Sequence, residues 1–228
     1  MIPSISGEEI EKRSFEIIDR EAGNHGFDAL TWPVVRRMIH ASADFSVMPL
    51  LRFRRDPVRV GIRALKSGAP IVTDSNMLKS GLSVARLKQI HPSYEAGNIY
   101  CNIGDPGVAR KAKKAKHPRS VFNMRSLKDK IDGGIICIGN APTALMEVCR
   151  LSREEDIRPA LLIAMPVGFV NVVEAKEMVK SLTVPVILME GRRGGTTFVV
   201  AALNAIAVLA LEYSPSEKEM PHRKPLHT

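Results

Sequence analysis

Three side chains suited to proton transfer onto an anionic ligand lie close together near the start of the chain. In the segment RRMIHASAD, His40 follows Arg37 by three residues and precedes Asp44 by four. If a helix persists through this segment, all three side chains project from one face. Arg37 would then disfavour a charged imidazole and Asp44 would favour it, while the arginine could fix an anionic substrate. We therefore interpret His40 as a candidate proton donor, with a structural histidine at a helix end as the alternative.

Two basic segments offer anion binding. GRRGG places Arg192 and Arg193 on a glycine-containing turn after an apolar run, which suits a carboxylate or phosphate; a plain turn with solvated arginines is the alternative. The run RKAKKAKHPR (Arg110–Arg119) could be a nucleic-acid patch, a guard over an acidic pocket or a solvated helix face. Aromatic residues make up 5% of the chain and none interrupts this run, which disfavours the nucleic-acid interpretation.

Metal and nucleotide motifs are missing from the sequence. There is no HExxH or CxxC pair and no GxxxxGK or GxGxxG signature. We therefore expect no protein-bound metal. The other histidines lie beside turns, in the basic run or near the C-terminus, and we interpret them as structural or solvated: His25, His91, His117, His222 and His227.

A repeated pattern in the second half predicts the elements that position these groups. An apolar run ends in a glycine-containing loop that opens a helix, at Ile135–Leu145, Leu161–Glu177 and Val184–Ala205. Apolar runs with little alternation are typical of parallel strands buried on both faces, and ligands of such sheets bind beyond the carboxyl ends of the strands. The three loops are therefore our first candidates for a binding site in an α/β fold.

The rest of the chain predicts further alternating elements. Helices are predicted at Glu8–Ala22, Val34–His40, Pro57–Lys66, Ser75–Ile90 (broken near Gly81) and Arg110–Lys116, and strands at Phe45–Phe53, Pro70–Thr73 and Asn98–Ile103. We predict one α/β domain over residues 1–213 and a polar, proline-rich tail over 214–228.

Composition limits the class of protein. The 228 residues are 45% hydrophobic, enough for a full core, and 33 Lys and Arg against 24 Asp and Glu give a formal charge of +9. Cys101, Cys137 and Cys149 form no CxxC pair, which favours free thiols in the cytoplasm. The N-terminus lacks the apolar core of a secretory signal. Thr196–Leu211 contains Asn204 and is too short for a membrane span, so we expect a helix in the core or at a subunit interface.

Five segments in series resemble the precorrin-8X methylmutases of cobalamin biosynthesis. They cover nearly all of the chain from about Ile10 to Leu211: RRMIHASADF, GAPIVTDSNMLKSG, IGNAPTAL, PVGFVNVVEAKE and GRRGGTTFVVAALNA. The chain departs from the family's usual pattern at two places. The usual Thr-Arg-Ser reads Pro118-Arg119-Ser120, and the usual Glu-Ser-Lys reads Glu174-Ala175-Lys176.

The resemblance implies a flavodoxin-like, three-layer α/β/α fold with a mostly parallel sheet, and a homodimer with the site near its interface. It implies an isomerase that moves a methyl group from carbon 11 to carbon 12 of precorrin-8X or cobalt-precorrin-8, giving hydrogenobyrinate or cobyrinate. No cofactor is implied, and any cobalt belongs to the substrate, a corrinoid polycarboxylate. His40 falls on the family's catalytic histidine. The substrate-binding residues expected from the resemblance and from the cleft are Ser14, Arg37, Thr73, Asp74, Arg119, Asn140, Gly168, Arg192 and Arg193.

Two other functions are compatible with the same residues. A non-catalytic tetrapyrrole carrier would use the same cleft, and only conversion of the ligand separates it from an isomerase. A basic nucleic-acid-binding module would show steep salt dependence centred on Lys111, Lys113 and Lys114. We favour the isomerase, and we expect neither nucleic acid nor membrane as a partner.

Overall fold

The computed structural model describes residues 5–94 and 97–212, and the predicted tail, 214–228, lies outside them. Six strands form one sheet in the described part of the chain: β1 (Leu51–Arg54), β2 (Ile71–Thr73), β3 (Ile99–Tyr100), β4 (Ile135–Ile138), β5 (Leu161–Ala164) and β6 (Val186–Met189). The helices are α1 (Gly7–Ala22), α2 (Trp32–Ser42), α3 (Pro57–Lys66), α4 (Asn76–Gly81), α5 (Val84–Ile90), α6 (Pro106–Ala115), α7 (Arg119–Ser126), α8 (Lys128–Ile131), α9 (Pro142–Glu154), α10 (Val172–Val179) and α11 (Thr196–Glu212), with a 3₁₀ helix at Phe45–Leu50.

The sheet order confirms the expected flavodoxin-like arrangement. The strands lie in the order β1-β6-β5-β4-β2-β3, and only β1 is antiparallel to its neighbour. Counted among themselves, the five parallel strands have the order 2-1-3-4-5. After β2 the chain forms β3 on one side of β2, and it then crosses to form β4 on the other side of β2. Loops following β2 and β4 therefore define the switch point at which ligands bind in such sheets.

Each central strand is buried on both faces, as its apolar run predicts. Ile135 and Cys137 of β4 pack into one core together with α2, α3 and α11, whereas Ile136 and Ile138 pack into a second core with α7, α9 and α10. Side chains alternate between faces with a period of two, so every residue of such a strand must be apolar. The two cores confirm a three-layer architecture.

Helix α11 organises the first of these layers. It packs against α2, α3, α4 and α5. Its Asn204 side chain hydrogen-bonds the backbone groups left unpaired between α4 and α5. The Asn204 side chain accepts from Ser83 N at 3.1 Å and donates to Gly81 O at 3.1 Å. Much of Thr196–Leu211 is buried in the core of this chain, which agrees with the first of the two predicted locations. No helix within residues 5–94 and 97–212 is long and apolar enough to span a membrane.

Most predicted elements are confirmed, and two strands are wrong in extent. Phe45–Phe53 is a strand only from Leu51, because the Asp44 side chain accepts from Ser46 N and starts a 3₁₀ turn. Asn98–Ile103 is a strand only over Ile99–Tyr100, because Asn102 N turns to the side chain of Asn123 at 2.7 Å. Helices α7 and α8 were not predicted. In both strands, a side-chain acceptor replaces the ladder partner that the pattern assumes.

Candidate active site

A buried carboxylate, that of Asp74, lies at the switch point directly after β2. Its Oδ2 accepts from Asn140 N and Ala141 N, both at 2.7 Å, and its Oδ1 accepts from Gly139 N at 3.2 Å. Asp74 is 1% exposed, and burial raises its pKa while the three backbone N–H groups oppose that rise. The carboxylate therefore fastens the loop between β4 and α9 to the end of β2.

Thr73 has a similar supporting role. Its hydroxyl donates to Ser75 O and lies 3.4 Å from Tyr100 O, and its carbonyl accepts from Asn123 Nδ2 at 3.0 Å. The Thr73 side chain is fully buried. We expected Thr73 and Asp74 to line the cleft; burial instead places both behind its wall, where their polar atoms bind other parts of the chain.

The loops after β5 and β6 are joined into one unit by backbone contacts. Gly195 N donates to Met165 O at 2.8 Å, and Gly168 N donates to Arg192 O at 3.3 Å. Gly194 has a φ of +158°, and a Cβ there would lie 2.3 Å from Met165 O. Gly194 of GRRGG is thus required because two loops approach each other at backbone distance.

A buried lysine stabilises this pair of loops by hydrogen bonds to the backbone of GRRGG. Lys176 of α10 donates to Gly191 O at 2.8 Å and to Arg193 O at 2.6 Å. It is 2% exposed, and desolvation lowers its pKa to about 8. No motif in the sequence assigns Lys176 a role. The available signal was its position on the buried side of α10, between Val172 and Val179.

We predict that Lys176 makes stability depend on pH above neutrality. The lowered pKa means that the native state binds the proton less tightly than the unfolded chain does. The free energy of unfolding should therefore rise between pH 8 and the ordinary lysine pKa, by at most about 3 kcal/mol. Urea unfolding of the wild type and of Lys176→Met at several pH values measures this rise. Equal slopes for the two proteins would contradict the prediction.

Helix α2 ends before it can align all three predicted side chains. Ala43 adopts a left-handed conformation with φ of +50°, and its N–H donates to Ile39 O at 2.7 Å. Asp44 consequently points away from the helix and pairs with Arg193, and Arg37 pairs with Glu11 at 2.5 Å. The helix does not persist to Asp44, so the expectation that all three side chains share one helix face is wrong for Asp44, whereas Arg37 and His40 both contact Phe15.

The His40 side chain lines a groove between α1 and α2. Its side chain is exposed, and its ring lies edge-on to Phe15 with centroids 5.4 Å apart. No hydrogen bond holds the imidazole within the described ranges 5–94 and 97–212. Ser14 lines the same groove; its hydroxyl donates to Ile10 O at 2.8 Å and leaves its acceptor side open. The groove encloses about 400 Å³ and is lined by Ser14, Ile17, Ile18, Glu21, Ile39, His40, Ala43 and Phe45.

Arg193 connects this groove to the glycine loops. Its guanidinium donates to Asp44 and to the hydroxyl of Ser46, the latter at 2.5 Å. The Ser46 hydroxyl also donates to Asp44, and this bond, followed by the contact with Arg193, lowers the pKa of Asp44 to about 2, so the pair stays ionised at neutral pH. The end of α2 that carries His40 is therefore tied to GRRGG through a side chain.

A second groove of about 400 Å³ lies on the other side of Arg193. The Arg192 guanidinium lies 5.6 Å from the centroid of Phe169, whose side chain is 84% exposed. An exposed aromatic ring beside an arginine suits a flat ligand with carboxylate substituents. The groove is lined by Val167, Gly168, Phe169, Arg192, Arg193, Gly194 and Phe198.

The remaining predicted site residues lie at the same edge of the sheet. Asn140 follows β4 and has an exposed side chain, because only its backbone binds Asp74. Arg119 is the first residue of α7 and is exposed. Arg37 lies across Phe15 from His40, with its guanidinium 4.9 Å from the ring centroid. No cluster of three metal-ligating side chains occurs among the residues that the structure describes.

The fold and the site define a flavodoxin-like α/β protein that presents a histidine and several arginines beside the carboxyl ends of its strands. The sequence model of the precorrin-8X methylmutase family matches residues 9–209. The chain belongs to that family, and it is an isomerase of the methylmutase type.

Individual relatives agree with this assignment. A cobalt-precorrin-8 methylmutase of Priestia megaterium is 42% identical over 207 residues, which cover 91% of this chain and 90% of that protein. A precorrin-8X methylmutase of Pseudomonas aeruginosa is 34% identical over 203 residues, covering 88% and 95%. The crystal structure of a precorrin-8X methylmutase from Thermus thermophilus matches with a TM-score of 0.83 at 43% identity, over 90% of this chain and 97% of that one.

Proposed function

We propose that this isomerase of corrin biosynthesis moves a methyl group from carbon 11 to carbon 12 of precorrin-8X or cobalt-precorrin-8, with His40 as the residue that exchanges the proton. The observation that carries the assignment of the residue is its imidazole, exposed in a groove and without a hydrogen-bond partner in the described chain. A ring nitrogen that no protein group occupies is available to a ligand.

The migration breaks the bond from carbon 11 to the methyl group and forms one to carbon 12, so the composition of the ring is unchanged. A proton that His40 adds to the ring system to favour the shift must therefore be matched by one that leaves. One imidazole can donate and accept in turn. Because the reaction transfers no net electrons, we propose that it needs no cofactor, and that any cobalt enters as part of the substrate.

The arginines have a different role in this proposal. Corrinoid precursors carry carboxylates around a flat ring, and planar guanidinium groups bind carboxylates in two-point fashion. Arg192 is available for such contacts, and Arg119 and Asn140 present exposed polar groups at the same edge. Gly168 allows the loop after β5 to approach the ligand. Ser14 offers a hydroxyl beside His40, and Arg37 and Arg193, although paired with Glu11 and Asp44, keep N–H groups for the ligand.

We further propose that the enzyme is a cytoplasmic homodimer. Apolar side chains remain exposed on α1 around the His40 groove, among them Ile10 and Ile17, and a second copy would cover them. Cys101, Cys137 and Cys149 are free thiols, which suits a reducing compartment.

Conversion of the substrate tests the function directly. The purified protein, mixed with precorrin-8X, is expected to shift the absorption maximum as the product chromophore forms, and light scattering of the same sample should give twice the chain mass of 25.1 kDa. A carrier would retain the coloured ligand without changing its spectrum. An unchanged spectrum with bound ligand would therefore overturn the isomerase proposal.

A further inference from the structure

Most of the net charge of this protein lies in one short segment. Residues 110–119 contain six Lys or Arg and no Asp or Glu, so they carry +6 of the total formal charge of +9. They form the exposed face of α6, from which Val108 and Ala112 point inward, and the turn into α7. We call the six residues the basic segment: Arg110, Lys111, Lys113, Lys114, Lys116 and Arg119.

The cations of the basic segment are not neutralised by neighbours. Elsewhere in the chain, arginines are commonly paired: Arg37 with Glu11, Arg193 with Asp44, and Arg150 with three glutamates. Within residues 5–94 and 97–212, no member of the basic segment forms an ion pair. An unpaired cluster of one sign produces a field that extends about a Debye length into solvent, roughly 10 Å at 0.1 M salt.

Both ends of α6 are tied to the edge of the sheet that carries the candidate site. Before α6, Asn102 N donates to the side chain of Asn123, which in turn donates to Thr73 O at the end of β2. After α6, the Ser120 hydroxyl lies 2.7 Å from that of Thr143, in the first turn of the helix that follows β4. Both ends of α6 are therefore held near the switch point, and its cations are exposed to solvent.

We propose that the basic segment captures the substrate electrostatically, steering a polycarboxylate ring toward the cleft before any specific contact forms. This inference rests on the proposed function, because it takes the ligand to be a corrinoid with several carboxylates. Clefts flanked by charge of the opposite sign raise association rates by about 10–10³-fold at low ionic strength. Flexible, exposed lysines suit capture, since they attract an anion without fixing its orientation.

The test neutralises three lysines that we assign no direct contact with the ligand. In Lys111→Gln/Lys113→Gln/Lys114→Gln, glutamine keeps helix propensity close to that of lysine. The association rate constant for precorrin-8X and kcat/KM are measured by stopped-flow absorbance at about 20 mM and about 500 mM salt. We expect roughly a 10-fold fall in both at low salt, no difference at high salt and an unchanged kcat.

A matched control changes the charge by the same amount at the opposite edge of the sheet. Lys128, Arg158 and Lys180 are exposed and lie in the connections that lead into β4, β5 and β6. Each pairs with a nearby carboxylate, so the control matches the change in formal charge and not the unpaired state of the α6 cations. The corresponding triple glutamine variant is expected to keep the salt dependence of the wild type. Equal falls in the association rate constant for the two variants would overturn local capture, because net charge alone would then explain the effect.

The remaining outcomes separate this inference from the proposed function. If the wild type converts substrate and the α6 variant shows the same salt dependence, capture is wrong while the isomerase proposal stands. A fall in kcat that persists at high salt would also overturn capture, because it would mean direct contact with the reacting ligand. Loss of oligonucleotide binding in the variant with unchanged kcat/KM would assign the segment to nucleic acid instead.

Discussion

Replacing His40 with alanine is expected to lower kcat by about 10²–10⁴-fold, the usual contribution of a positioned acid–base group. The variant should still bind the coloured corrinoid, because Arg192, Arg193 and the glycine loops proposed to hold it lie on other elements. His40 is exposed and makes no hydrogen bond within the described chain, so its removal should leave stability nearly unchanged. Stopped-flow absorbance gives kcat, and equilibrium titration with the product gives Kd.

A second histidine provides the control for this variant. The ring of His25 stacks on Trp32 with centroids 3.7 Å apart, and its Nδ1 accepts from Phe27 N at 3.1 Å. We expect His25→Ala to lower stability and to leave kcat unchanged, the reverse of His40→Ala. Addition of free imidazole should restore part of the turnover of His40→Ala. Wild-type turnover by His40→Ala would remove that residue from the mechanism.

The largest effect on stability is expected for Asp74→Ala. This substitution leaves the backbone N–H groups of Gly139, Asn140 and Ala141 without their acceptor next to a buried strand end. Each unsatisfied buried donor costs about 1–3 kcal/mol, so a total loss of about 4 kcal/mol is expected. Asp74→Asn keeps one acceptor oxygen and should cost about half as much. Urea unfolding monitored by circular dichroism measures both values.

An exposed aspartate that also accepts three hydrogen bonds is the control. Asp28 accepts from Leu30 N, Thr31 N and the Thr31 hydroxyl, but its side chain faces solvent. Water can replace a lost acceptor there, and Asp28→Ala should cost only about 1 kcal/mol. Similar losses for Asp28→Ala and Asp74→Ala would show that burial of the loop contacts is not what makes Asp74 important.

The alternation of apolar runs and helical segments was sufficient to predict the architecture. Parallel strands buried on both faces must be apolar at every position, so β4, β5 and β6 stand out from the sequence without any knowledge of their partners. Edge strands carry a weaker signal. β3 has two residues, and the 3₁₀ helix before β1 is started by the side chain of Asp44, which no hydrophobic period can reveal.

The sequence indicated which segments contain candidate site residues, and it did not indicate how these residues are arranged. The segments around His40 and GRRGG stood out by composition and by resemblance, and the structure ties them together through Arg193 and Asp44. Thr73 and Asp74 were expected to face the ligand, yet both are buried and bind other parts of the chain instead. Lys176 had no distinguishing motif, because its importance comes from two carbonyls that lie 15 and 17 residues later.

By itself, the sequence determined the layered architecture of this protein, its family and the residue types around its cleft. These follow from periodicity and local motifs, which depend only on residues that are close together in the chain. Only the tertiary structure decided which charges neutralise one another. Arg37 forms an ion pair with Glu11 of α1, and Asp44 forms one with Arg193 in the loop after β6. The cations of α6 form no ion pair within the described chain. Ion pairing depends on distances between atoms far apart in sequence, and a fold must bring elements together before those distances exist.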